Sequence, residues 1–133
     1  LRRARSQFGL NLGVAFQMLD DTLDYVGHVE QFGKVTVKDL EEKNITLPLL
    51  HTLNAAVKKD RLEIIRIVDA EKKSDEDKMV VSRYIQHYGG IDYTKEKAAQ
   101  YILTAKSHLS AFPMSNHRLA LEATADYVLQ RDS

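Results

Sequence analysis

Phe16-Gln17-Met18-Leu19-Asp20-Asp21-Thr22-Leu23-Asp24 sets three carboxylates inside a stretch that is otherwise strongly apolar. On a helix Asp20 and Asp24 are i and i+4 neighbours and share a face, with Gln17 one turn before Asp20 and Asp21 turned aside. Two carboxylates roughly 6 Å apart, at an effective dielectric near 20, repel by about 3 kcal/mol. A divalent cation between them reverses that sign. Magnesium suits the arrangement: it takes one or two carboxylates, keeps several waters and leaves its other positions for phosphate oxygens.

The alternative is a solvated acidic helix face. Such a face has polar neighbours, whereas Leu10, Leu12, Val14, Ala15, Phe16, Met18, Leu19, Leu23, Tyr25 and Val26 make this helix apolar nearly all round, the pattern of a buried helix. Buried carboxylates require a partner. A calcium loop of the EF-hand type needs alternating ligands and a Gly at its sharp turn, and Asp20–Asp24 supplies neither.

A second group of residues follows: Phe32-Gly33-Lys34, then Lys38-Asp39-Leu40, closed by Ile45-Thr46-Leu47-Pro48-Leu49-Leu50. Beside a metal-charged helix, Lys34 and Lys38 can hold a polyanion such as a diphosphate as point charges. An ordinary helix-to-helix connection with solvated lysines is the competing explanation.

F-Q-x-x-D-D-x-x-D-Y, F-G-K-x-x-x-K-D-L and I-T-L-P-L-L, taken together over Phe16–Leu50, resemble the second aspartate-rich region of the trans-isoprenyl diphosphate synthases, the polyprenyl synthetase family. Softer similarity to the C-terminal half of medium- and long-chain members extends to Phe8–Gly13, Tyr88–Ile91, Ala98, Ala105-Lys106 and Ala125–Val128. The resemblance implies an all-α antiparallel helical bundle, part of the isoprenoid synthase fold. It also implies a prenyltransferase that uses magnesium to condense isopentenyl diphosphate with an allylic diphosphate, in a protein that is a homodimer when full length. By the same resemblance Asp20 and Asp24 are magnesium ligands and Asp21 is a supporting carboxylate or a water-mediated ligand. Lys34 contacts the allylic diphosphate, Phe16 and Gln17 lie near the isopentenyl group and the developing cation, and Lys38 is a further substrate contact. Two rival assignments stay open at this stage: a class I terpene cyclase, and a non-catalytic subunit of a heteromeric prenyl synthase. The Gly33-Lys34 and Lys38-Asp39 spacing favours the condensing enzymes.

The chain departs from the family pattern in three places. Many relatives carry Gly where Val37 stands and Gly-Lys where Lys43-Asn44 stand, and a β-branched residue at position 37 resists the positive φ available to Gly. The family's first aspartate-rich motif has no counterpart, since Asp75-Glu76-Asp77 does not match it. Residues 1–133 are therefore expected to be the C-terminal portion of a polyprenyl synthetase domain, inactive alone and exposing apolar surface. Leu1-Arg2-Arg3, with neither Met nor a capping residue ahead of it, fits a start inside a helix.

Composition narrows the classes. With 133 residues, 44% of them hydrophobic, the chain is long enough for one core and too short for two ordinary domains. Nineteen basic residues balance nineteen acidic ones, so no net field favours nucleic acid or an anionic membrane. The absence of cysteine excludes a disulfide scaffold and thiolate chemistry and fits a cytoplasmic setting. No apolar run reaches membrane-spanning length.

The hydrophobic period is helical throughout. It predicts a helix from the start to about Val26 and a loop over Glu30–Asn44. A second helix should run from Ile45–Pro48 to about Lys58, with Pro in its first turn, and a third over Arg61–Glu71. Ser74, with Asp77 three residues on, predicts an N-cap for a helix to about Tyr88 that stops at Gly89-Gly90. Thr94 to Phe112 and Ser115-Asn116 to about Leu129 complete the set. His28, His51, His87, His108 and His117 show no metal-ligand spacing. Gly9 and Gly13, at i and i+4, suggest a close helix crossing, and Tyr84, Tyr88, Tyr93, Tyr101 and Tyr127 are expected to pack between helices.

Overall fold

The structure, a computed structural model, describes residues 2–23, 25 and 38–130. Every regular element among them is a helix: α1 Arg2–Leu23, α2 Lys38–Glu41, α3 Leu47–Ala55, α4 Lys58–Asp69, α5 Asp75–His87, α6 Gly90–Ser107 and α7 Asn116–Gln130, with a 3-10 turn His108–Ala111 after α6. Two compact units divide the chain, one made of Leu1–Leu19 with Lys95–Ser133 and the other of Asp20–Thr94.

In the first unit α1 supplies Phe8, Ala15 and Leu19, and α6 supplies Ala98, Ile102 and Ala105, each set on one stripe of its helix. Leu109 and Phe112 follow from the 3-10 turn and its exit, and Ala125 and Val128 from α7 close the cluster. The alanines keep the α1 and α6 stripes thin, so the large side chains carry the burial, about 1.5–3 kcal/mol each when fully covered. Ser115 caps α7, its hydroxyl accepting from the Arg118 N–H at 3.3 Å, as the Ser-Asn start predicted.

In the second unit α3 and α4 both pack against α5. Leu49, Ile64, Ile67, Val81 and Ile85 meet there with Tyr25, Leu40 and Ile91. Ser74 caps α5 as expected, accepting from the Asp77 N–H at 3.1 Å. Asp75, Glu76 and Asp77 fill that helix's first turn, where carboxylates are favoured by the backbone dipole.

Four boundaries differ from those read from the pattern. Helix α1 ends at Leu23 with Tyr25 in a turn, while Val26 and Gly27 lie outside the described residues. Within the expected loop, Lys38–Glu41 forms a helical turn because Leu40, fully buried, anchors it. Helix α3 stops at Ala55 and α4 begins at Lys58, with Ala56 and Val57 extended between them. Arg61 covers the α3 end, donating to Leu53 O at 2.9 Å and Ala56 O at 3.0 Å, which is the role a C-terminal cation serves. Finally α6 starts at Gly90, four residues early. A Cβ there would lie 2.5 Å from Pro48 O and 2.8 Å from Thr52 Oγ1, so only Gly allows α6 to start against α3.

Three packing expectations are corrected. Helix α1 buries a single stripe, Phe8, Ala15, Leu19 and Thr22, and exposes Leu10 (62%) and Phe16 (42%), so it is one-sided in this chain and not buried all round. Gly9 and Gly13 meet nothing within 4 Å of an added Cβ, which removes the close crossing. Tyr84, Tyr88 and Tyr93 are half-buried as expected, while Tyr101 and Tyr127 are exposed.

Candidate functional site

Helix α1 carries the acidic cluster on its last turn. The unbroken helix from Arg2 to Leu23 sets Gln17 one turn before Asp20. Asp20 and Asp21 are both half-buried and Gln17 is exposed. Asp21, expected to turn aside, is thus half-buried like Asp20. On a 3.6-residue wheel the two aspartates lie together on the side of α1 away from the buried stripe through Leu19 and Thr22, so neither points into the core centre. Asp24 and Lys34 lie outside the described residues, as do Phe32, Gly33 and Val37.

Two adjacent half-buried carboxylates are hard oxygen donors, the type magnesium and calcium take. Among the described residues no group of three or more His, Cys, Asp or Glu is placed to hold a metal ion. Magnesium does not require three, because waters and substrate phosphate oxygens fill its other positions. The donors present therefore fit a hard divalent ion shared with a phosphate-bearing ligand.

The segment after the cluster is tied down on α2. Lys38 opens that helix, Asp39 is half-buried and Leu40 is fully buried. Its C-terminal turn is closed by the Lys43 N–H to Leu40 O (3.2 Å) and the Asn44 N–H to Asp39 O (2.7 Å). Lys43 adopts φ 58°, a backbone conformation that Gly takes more readily. Glu41 accepts from Lys78 Nζ of α5 at 2.5 Å, and Lys43 Nζ reaches Glu71 at 3.0 Å. Glu41, Glu71 and Lys78, with Lys72 and Lys73, line a cavity of about 340 Å³. The Lys43 ammonium, through its hydrogen bond and charge, lowers the Glu71 carboxyl below its ordinary value.

A separate cleft of about 410 Å³ lies between α4 and α5, lined by Asp60, Glu63, Arg83, Tyr84 and His87. The Tyr84 hydroxyl lies 3.2 Å from both Asp60 and Glu63. Burial, the Glu63 hydrogen bond and the neighbouring negative charges push the Tyr84 phenol up to about 12. Tyr88 donates to Asp60 at 2.5 Å and accepts from the Val57 N–H at 3.3 Å. Its phenol is raised too, first by the Asp60 bond. No local pattern marked this cluster in the sequence, because its members come from two helices and carry ordinary surface residue types.

Comparison with known proteins gives the class. The polyprenyl synthetase family model matches residues 2–85, and the chain belongs to that family. It is 34% identical over 131 residues to a short chain isoprenyl diphosphate synthase of Methanothermobacter thermautotrophicus, covering 97% of this chain and 39% of that protein. To octaprenyl diphosphate synthase of Escherichia coli it is 32% identical, covering 94% of this chain and 38% of the relative. The chain thus spans about two fifths of the length of these curated relatives.

Its fold is that of solved isoprenyl diphosphate synthases. A decaprenyl diphosphate synthase from Rhodobacter capsulatus superposes with TM-score 0.87 at 30% identity, over 98% of this chain and 40% of that one. A polyprenyl synthase from Caulobacter crescentus CB15, complexed with calcium and isoprenyl diphosphate, gives 0.86 at 35% identity over 98% and 40%. The all-α expectation and the family resemblance both hold. No helix among the described residues is long and apolar enough to cross a membrane.

Proposed function

We propose that this chain contributes the second aspartate-rich wall of a trans-prenyltransferase, which condenses isopentenyl diphosphate with an allylic diphosphate to a linear polyprenyl diphosphate. The observation that carries the proposal is the family match over residues 2–85, which includes the aspartate cluster on α1. The similar structure that holds calcium and isoprenyl diphosphate supports a divalent ion and a diphosphate ligand. The relatives named above are condensing synthases, which favours condensation over cyclisation.

In this reading Asp20 and Asp24 hold magnesium and Asp21 supports them. Magnesium, when bound, neutralises the allylic diphosphate and stabilises it as a leaving group. Lys34 and Lys38 hold the same anion by point charge. Gln17 and Phe16 flank the reacting carbons, where an aromatic face lowers the energy of a developing carbocation. The allylic carbon–oxygen bond breaks, the isopentenyl double bond closes on that carbon, and a proton leaves the product. A second wall with the first aspartate-rich motif is supplied from outside these 133 residues, and the full-length protein works as a homodimer in the cytoplasm.

The test is turnover by the full-length protein with both diphosphates, with and without magnesium. Asp20→Asn and Asp24→Asn should each lower turnover by several orders of magnitude, because each removes a ligand of the ion that stabilises departing charge. Lys34→Ala should cost roughly 2–3 kcal/mol, near a hundredfold, as expected for one charge-assisted hydrogen bond. Without magnesium the Asn variants should melt no lower than the parent, since they relieve carboxylate repulsion. Variants that melt lower yet keep near-normal turnover would make the aspartates structural and place the chemistry elsewhere.

A further inference from the structure

Helix α4 separates its charges. Asp60 and Glu63 turn toward α5, where the Tyr84 hydroxyl lies 3.2 Å from each and the Tyr88 hydroxyl donates to Asp60. Both carboxylates are half-buried in the cleft between the two helices. Lys58, Lys59, Arg61 and Arg66 are all exposed, and of the acids on this helix only Asp69 joins them. The chain as a whole is neutral, so this excess of positive charge is local.

Two large apolar residues sit in the middle of those charges. Ile64 and Ile67 are fully buried in the core of their unit. On a 3.6-residue wheel the opposite side of α4 is the stripe Lys58, Leu62, Ile65 and Asp69. Leu62 is 56% exposed and Ile65 46%. Lys59 and Arg66 lie one turn before and one turn after Leu62 on one flank of that stripe, and Arg61 lies one turn before Ile65 on the other. Arg61 is held there by its bonds to the Leu53 and Ala56 carbonyls. Arg66, 3.8 Å from Asp77, keeps 64% of its side chain exposed.

An aliphatic pair among cations suits one class of surface. Lys is depleted at protein–protein interfaces, whose anchors are aromatic residues and Arg, and α4 carries no aromatic side chain. A nucleic-acid backbone would use the cations and leave Leu62 and Ile65 without a partner. An anionic bilayer answers both features, because its headgroups attract Lys and Arg and its acyl boundary accepts shallow aliphatic side chains.

We propose that the outward face of α4, Lys58, Lys59, Arg61, Leu62, Ile65 and Arg66, is a docking surface for an anionic lipid bilayer. The helix lies along the headgroups with Leu62 and Ile65 inserted, while Tyr84 and Tyr88 hold Asp60 and Glu63 away from the lipid charge. The docking does not depend on the proposed reaction.

The test is co-sedimentation of the full-length protein with vesicles of phosphatidylcholine alone and of phosphatidylcholine mixed with phosphatidylglycerol. The parent should bind the mixed vesicles only, and salt raised from about 0.1 to 1 M should release it. Lys58→Gln and Lys59→Gln should each weaken partitioning about fivefold, the equivalent of about 1 kcal/mol per cation at an anionic surface. Leu62→Ser and Ile65→Ser should each weaken it about fivefold through the lost apolar insertion. Asp69→Asn should strengthen it. Leu103→Ser, which removes an exposed side chain of α6, should change nothing, and melting of all variants should stay with the parent. A dye on Leu62→Cys should react without vesicles and shift to an apolar signal when the mixed vesicles are added.

A parent that binds neither vesicle, or both equally, overturns the proposal. So does equal weakening by Leu103→Ser and Leu62→Ser, or partitioning of the lysine variants that matches the parent. A Leu62→Cys protein that resists the dye without vesicles also overturns it, since another part of the protein or a second copy then covers the face.

Discussion

Lys43 adopts φ 58°, and an L residue pays for that backbone through contact between its Cβ and the following carbonyl. Its ion pair with Glu71 does little to offset this, since the Glu71 side chain is 92% exposed. Lys43→Gly should therefore stabilise the protein by up to about 1 kcal/mol, read as a raised urea midpoint. A lower midpoint would show that the Glu71 contact outweighs the backbone strain. Tyr84 gives a residue-scale pH dependence. Its phenol ionises in the unfolded chain near 10 but in the folded protein only at about 12. The stability tied to the neutral phenol is thus complete below pH 10 and is lost as pH rises from 10 to 12. Tyr84→Phe should flatten the fall of the urea midpoint across that interval, and an equal fall in parent and variant would assign the alkaline loss to other groups.

At the scale of elements, the junction of α5 and α6 is the least forgiving point. Gly89 has φ 73° and an added Cβ at Gly90 would meet Pro48 O, Thr52 Oγ1 and Ile85 Cγ2 at 2.5, 2.8 and 3.0 Å. Gly90→Ala should cost about 1–3 kcal/mol, the range for overpacking, whereas Ser74→Ala should cost about 1 kcal/mol through the lost cap. Thermal unfolding of both variants checks the order, and a milder Gly90 variant would mean that α3 yields to the added methyl. The Gly-Gly stop and the Ser74 cap were legible because turn and cap chemistry is local. The α6 start was not: it depends on the α3 carbonyl of Pro48, which no window of sequence contains. The same holds for α2, whose helical turn follows from the burial of Leu40 in a tertiary core. The aspartate cluster could be proposed as a site from residue types and spacing alone. The one-sidedness of α1 was not legible, since an apolar sequence does not say which of its faces this chain covers.

For the whole molecule the division of the chain matters most. Asp20–Thr94 is continuous, whereas the other unit joins Leu1–Leu19 to Lys95–Ser133 across it. The first can gather its core of Leu49, Ile64, Ile67, Val81 and Ile85 from near neighbours. The other must bring Phe8, Ala15 and Leu19 to Ala98, Ile102 and Leu109, closing a loop as long as the entire inserted unit. Loop closure is an entropic cost met before any contact rewards it. Refolding should therefore be staggered. Pulsed exchange should protect amides of α4 and α5 before those of α7, with the later phase slowed by Ile102→Ala and the earlier one by Ile64→Ala. During synthesis the same asymmetry has a direction: α1 emerges before α6, so Phe8, Ala15 and Leu19 meet Ala98, Ile102 and Leu109 only after the whole of the intervening unit has left the ribosome.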